Sequence, residues 1–142
     1  MDIEAFDHVA INVADLERSA EWYERVLGFK IVHKWTRTWM VGRGQMRIGL
    51  FHRPQATPVD DLDNKLAITH FAFLTDEQGF QRVQEELKRL GVPFDPPEDT
   101  GIAFSLFFQD PDGYELEVTT YHSLKSEGEG GDPVKRPCRS DG

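Results

Sequence analysis

The sequence of 142 residues contains one cysteine, Cys138, so no disulfide can form within the chain. Its stability must come from a hydrophobic core, and a domain near this size buries roughly 70% of the surface its unfolded chain exposes. A single cysteine suits a reducing compartment, and a cytoplasmic location is the expectation. Cys138 sits among polar residues, a setting that favours neither a metal ligand nor a nucleophile. Long apolar runs are absent, and none approaches the ~20 residues that span a bilayer. The opening Met1-Asp2-Ile3-Glu4 lacks the basic and apolar regions of a secretion signal. Positive charge is scarce: 16 Lys and Arg stand against 25 Asp and Glu, for a net charge of −9. That balance argues against nucleic acid and membranes as partners, because phosphate groups reward Lys and Arg. A small molecule is the expected partner, and a cationic one would be attracted.

What is present reads as one globular domain, with 39% hydrophobic and 29% charged residues. The body contains an internal repeat. One copy opens with Phe6-Asp7-His8-Val9-Ala10-Ile11-Asn12-Val13, the other with Ile68-Thr69-His70-Phe71-Ala72-Phe73-Leu74-Thr75. Both are short β-prone runs with a histidine near the start. A helical pattern follows each. Leu16, Ala20, Tyr23 and Leu27 form one stripe, and Phe80, Val83, Leu87 and Leu90 the other. Asp15 and Asp76 suit N-caps, and Gly28 and Gly91 suit left-handed C-caps.

Strands are expected at 29–35, 38–41 and 46–52 in the first copy. In the second they are expected near 92–94, at 102–108 and at 114–121, with the turn Asp110-Pro111-Asp112-Gly113 joining the last two. The fold class is therefore α+β: two tandem βαβββ modules whose mixed sheets curl around a metal-centred cavity, helices outside. The domain covers 1–122, with module one at about 4–53, a linker at 54–66 and module two at about 67–122. Residues 123–142 are rich in Gly, Ser, Pro and charge, and read as a flexible tail.

Two histidines at matched places in a repeat outweigh the ordinary reading of each as a hydrogen-bonded or surface residue. A carboxylate among apolar residues on the last strand adds to them. Glu115 and Glu117 share one strand face, so alternation alone does not choose between them. Two imidazoles and one carboxylate suit a divalent metal and leave positions open, the arrangement known for non-haem Fe(II).

These segments resemble the vicinal oxygen chelate superfamily, which includes glyoxalase I, extradiol dioxygenases, and fosfomycin- and bleomycin-resistance proteins. The resemblance rests on 7–15, on Trp22-Tyr23 with Val26-Leu27-Gly28-Phe29, and on 108–117, and spans roughly 4–122. It implies His8, His70 and Glu117 as metal ligands. It also implies that the glutamate found on the fourth strand of glyoxalase I is replaced here by Gly49; His52 or Gln45 could substitute only in another register.

The open three-ligand set favours a non-haem Fe(II) dioxygenase acting on a substrate that chelates the metal through vicinal oxygens. Mn, Zn, Ni or Co are alternative metals. The tyrosine and histidine that assist catechol cleavage in extradiol enzymes are missing, with Phe107 at the tyrosine position. The other readings are a glyoxalase-type lyase or isomerase, and a bleomycin-resistance-like binding protein without metal. Arg47 shares the parity of Gly49, so it is expected to hold an anionic group of the substrate beside the metal. Asn12, Trp39, Phe104, Thr119 and Tyr121 are further candidate pocket residues. A homodimer is expected because it is common among relatives.

Overall fold

The computed structural model describes residues 1–123. The expected tail lies outside the described residues from position 124 on, Cys138 included. The chain divides into two compact units after Pro58. The first holds β1 (Val9–Val13), α1 (Leu16–Trp22) with a π-helical continuation (Tyr23–Leu27), β2 (Lys30–Lys34), β3 (Thr38–Arg43) and β4 (Met46–His52). The second holds a 3-10 turn (Leu62–Asn64), β5 (Phe71–Leu74), α2 (Glu77–Arg89), β6 (Glu98–Asp99), β7 (Ala103–Gln109) and β8 (Glu115–Tyr121).

Each unit forms one four-stranded mixed sheet, ordered β1-β4-β3-β2 and β5-β8-β7-β6. In both, the first strand runs parallel to the last, and the remaining pairs are antiparallel. Both units thus carry the βαβββ plan, and the α+β class holds.

The helices form where capping and periodicity place them. Asp15 accepts a hydrogen bond from Arg18 N, and Asp76 from Gly79 N, satisfying N–H groups that the first turn leaves without partners. The first helix ends at Gly28, whose φ of 72° lies in the region that lacks a Cβ penalty only for glycine. Tyr23 and Ala20 are buried from this helix, Phe80 and Leu87 from α2.

These apolar faces meet one face of each sheet. In the first unit that face carries Ile11, Val13, Val41, Ile48 and Leu50, all under a tenth exposed. In the second it carries Leu106, Phe108, Leu116 and Val118. Burying each such side chain contributes about 1.5–3 kcal/mol, so this layer fixes the strand register.

One strand expectation is corrected. The residues 92–94 form no strand; Phe94 makes only an isolated bridge to Phe108. Pro93, Pro96 and Pro97 remove the backbone donors that a ladder there requires. The fourth strand of that sheet is instead β6, paired to Phe104 and Ser105 of β7. Among the described residues no helix is long and apolar enough to cross a membrane.

Candidate functional site

In the first unit His8 immediately precedes β1. The register aligns Ala10 with Gly49 and Asn12 with Phe51. Strand alternation then puts His8, Ala10 and Asn12 on the face opposite the helix, with Arg47, Gly49 and Phe51. Contact bears this out: a Cβ placed on Gly49 would stand 3.7 Å from His8 Cδ2. His8 Nδ1 lies 2.8 Å from Asp7 Oδ2. An ionised carboxylate only accepts, so Nδ1 carries the proton, and Nε2 of the neutral ring is bare. Arg47 Nη1 donates to the other oxygen of Asp7 at 3.4 Å. The hydrogen bond with His8, helped by the charge of Arg47, holds the Asp7 carboxyl below the usual carboxylate value.

The second unit repeats this arrangement in different chemistry. Ala72 aligns with Glu117 as Ala10 does with Gly49, so Gly49 and Glu117 are equivalent positions of the repeat. His70 Nε2 stands 3.0 Å from Glu117 Oε1, and Thr69 Oγ1 stands 2.9 Å from His70 Nδ1. The Glu117 side chain is 15% exposed, against 37% for His70. Phe107, directly across from Glu117 in the ladder, meets the His70 ring edge-on at 5.6 Å. The group beside this pair is therefore apolar and offers no proton.

The donors fit a divalent ion. Two ligands about 2.1 Å from one ion and at right angles stand roughly 3.0 Å apart, the separation found for His70 and Glu117. Each histidine has its Nδ1 against the side chain of the preceding residue, the support that metal-binding imidazoles commonly receive. The Thr69 hydroxyl both donates and accepts, so it serves either ring tautomer of His70. Without an ion, Nε2 donates its proton to Glu117. With one, the proton would sit on Nδ1 beside Thr69 Oγ1, and Nε2 would be the atom to hold the ion. Among the described residues, no three His, Cys, Asp or Glu side chains stand assembled as a metal-holding group.

The remaining expected site residues separate by face. Arg47 and Asn12 lie on the His8 face, and Thr119 and Tyr121 on the Glu117 face. Thr119 is bonded to the buried Ser105 hydroxyl at 3.1 Å. Trp39 and Phe104 do not join them. Trp39 aligns with the buried Leu50 and lies under Lys34 Nζ at 4.1 Å. Phe104 aligns with the buried Thr120 and packs on His122. His52, aligned with buried Val13, also faces away from His8, and Gln45 occupies the β3–β4 turn. Two arginines that strand alternation could not flag, Arg37 and Arg53, stand at the strand ends beside Asn12.

Residues 5–118 match the model of the Glyoxalase/Bleomycin resistance protein/Dioxygenase superfamily. The chain belongs to this superfamily. Among its curated members the chain is 29% identical over 122 residues to the metallothiol transferase FosB of Lysinibacillus sphaericus, covering 84% of each chain. It is 30% identical over 145 residues to the lactoylglutathione lyase of Pseudomonas putida, covering 80% of this chain and 83% of that one. A glyoxalase family protein from Enterococcus faecalis shares the fold, with a TM-score of 0.74 at 24% identity, over 84% of this chain and 99% of its own. The vicinal oxygen chelate fold inferred from the sequence is thereby shown.

Proposed function

We propose that the protein is a divalent-metal-dependent enzyme in which His8, His70 and Glu117 hold the ion and a small substrate chelates it through neighbouring oxygens. The paired placement of His70 Nε2 and Glu117 Oε1 at 3.0 Å, with Thr69 behind the ring, carries this reading. The likeness to a metallothiol transferase and to a lactoylglutathione lyase supports an enzyme of group-transfer or lyase type.

When bound, the ion supplies Lewis-acid polarisation of a substrate oxygen. Glu117 contributes the negative charge that keeps a divalent cation, and the two imidazoles leave the remaining positions to substrate. The Phe107 ring keeps water from one side of His70 and Glu117, which strengthens their interactions with any charge placed there. With glycine at 49 no carboxylate stands at the first unit's equivalent of Glu117, and the Asp7 carboxylate lies on the Nδ1 side of the His8 ring. Proton movement then falls to the substrate or a second reactant, which favours attack by an external nucleophile over internal proton shuttling.

A second reading, a non-haem Fe(II) dioxygenase, is favoured by the open three-ligand set alone. The apolar Phe107 beside Glu117 offers no proton relay to it.

Elemental analysis after anaerobic purification tests the common core of both. About one equivalent of divalent metal is expected in the wild type, with loss in His70→Ala. Metal that survives this substitution, or absence of metal from reconstituted wild type, overturns the assignment. Manganese or zinc with thiol-transfer or lyase turnover selects the first reading. Iron with oxygen uptake selects the second.

A further inference from the structure

The far end of the second sheet carries linked polar side chains that the metal-dependent reading does not use. His122 follows the last residue of β8, and both of its ring nitrogens are engaged. Nε2 stands 2.9 Å from Asp99 Oδ1 of β6, and Nδ1 stands 2.6 Å from Ser123 Oγ. The bonds from His122 and from Gly101 N hold the Asp99 carboxyl below its ordinary value, so it is ionised near neutral pH and only accepts. Nε2 therefore carries the proton of the neutral ring. Nδ1 keeps a lone pair, and the Ser123 hydroxyl donates to it. A hydroxyl on a base that a carboxylate orients is the arrangement that activates a serine.

Backbone contacts fix all three groups. His122 N and Ser123 N both donate to Ile102 O, at 2.9 and 3.1 Å. Gly101 N donates to Asp99 Oδ1 at 2.9 Å, and the β6–β7 register sets Asp99 opposite Phe104. The Phe104 ring packs on the imidazole with 4.6 Å between centres. The His122 side chain is 29% exposed, whereas Ser123 lies in the open. The base is thus held and shielded while the hydroxyl is reachable. Phe104, itself 40% exposed, offers an apolar surface beside the ring. His122 shares the parity of the buried Val118 and Thr120, so the three groups lie on the face of the sheet away from Glu117.

We propose that Ser123 is a nucleophile with His122 as its base and Asp99 as the residue positioning that base, and that this site cleaves small carboxylic esters. Ser123 Oγ attacks the carbonyl carbon, and its proton passes to His122 Nδ1. The bond from that carbon to the leaving oxygen breaks, and the leaving alcohol takes the proton from His122. Water then repeats the sequence on the acyl-serine, releasing the acid and restoring the hydroxyl. Asp99 keeps the ring in the Nε2–H tautomer and stabilises the imidazolium formed in between. The site is independent of the metal-dependent reading above.

The test uses the full chain in the presence of EDTA, so that no metal centre contributes. p-Nitrophenyl acetate is the substrate, and diisopropyl fluorophosphate is the trap. Its phosphorus bonds to an activated serine oxygen as fluoride leaves. The wild type should release p-nitrophenolate, lose that activity on treatment with the trap, and carry the phosphoryl adduct on Ser123 by peptide mass spectrometry. Ser123→Ala, at an exposed position, should lack both the activity and the adduct. His122→Gln should slow trapping about a hundredfold, the lower range of what a positioned base contributes. Asp99→Asn should slow it as well, and proton–nitrogen NMR should show the His122 ring leaving the Nε2–H tautomer, which a merely structural role would not require. Equal p-nitrophenolate release from Ser123→Ala, or an unmodified Ser123 after treatment, overturns the proposal. Trapping at the wild-type rate in both His122→Gln and Asp99→Asn overturns it too, and leaves the three residues as a tether for the end of β8.

Discussion

At the scale of single residues, the Thr69 hydroxyl beside His70 Nδ1 is expected to tune how well that ring would serve as the proposed ligand. Valine is close to threonine in volume and lacks the oxygen that sits 2.9 Å from Nδ1. Thr69→Val is expected to weaken Mn²⁺ affinity about tenfold with little change in fold, because outer partners of metal-binding imidazoles carry effects of that size. Isothermal titration calorimetry reads this directly, and unchanged affinity would remove Thr69 from the site. The partner of His8 is charged and that of His70 is neutral, so the two rings are supported unequally. The sequence shows the histidines by their recurrence, but not the unequal contacts behind them.

At the scale of elements, each helix depends on one aspartate. Asp76→Ala removes the 2.7 Å bond to Gly79 N and should cost about 1 kcal/mol in urea unfolding. A loss below a few tenths of that would show the cap to be dispensable. Helix ends were legible from local chemistry, as Asp15, Asp76 and Gly28 illustrate, because a cap needs only its own neighbours. Faces of strands were legible only in part. In β7 both parities are largely apolar, with Ala103 and Phe107 on one side and Leu106 and Phe108 on the other, all buried. Alternation therefore could not show that Phe104 turns away from Glu117. The face of Trp39 was hidden for a related reason. Its face depends on the β3–β4 register, and that pairing is not written in β3 alone. Arg37 and Arg53 stand where strands end, so no period assigned them a side.

At the scale of the whole molecule, acid should destabilise the protein in a predictable direction. The bond with His122, followed by that from Gly101 N, holds the Asp99 carboxyl below its ordinary value of 3.8. The bond from Arg89 holds Glu86 below 4.5. In each case the folded state gives up its proton at lower pH than the unfolded chain. The stabilisation is present above the unfolded value and is lost as pH falls through the folded one. Thermal unfolding midpoints should therefore drop from about pH 5 downward. The double variant Glu86→Gln with Asp99→Asn should show a shallower drop, and an identical slope would refute the assignment.

The matched registers of the two units have a historical meaning. Two segments with the same strand order and the same histidine placement are the mark of a gene segment copied in tandem. Whatever differs between the copies was acquired after the copying. At equivalent positions one copy has Arg47 and Gly49, and the other Glu115 and Glu117. The copies now differ by sign of charge at these positions, with an arginine and a glycine in one and two carboxylates in the other. Exchanging residues between equivalent positions of the two copies would retrace that divergence one side chain at a time.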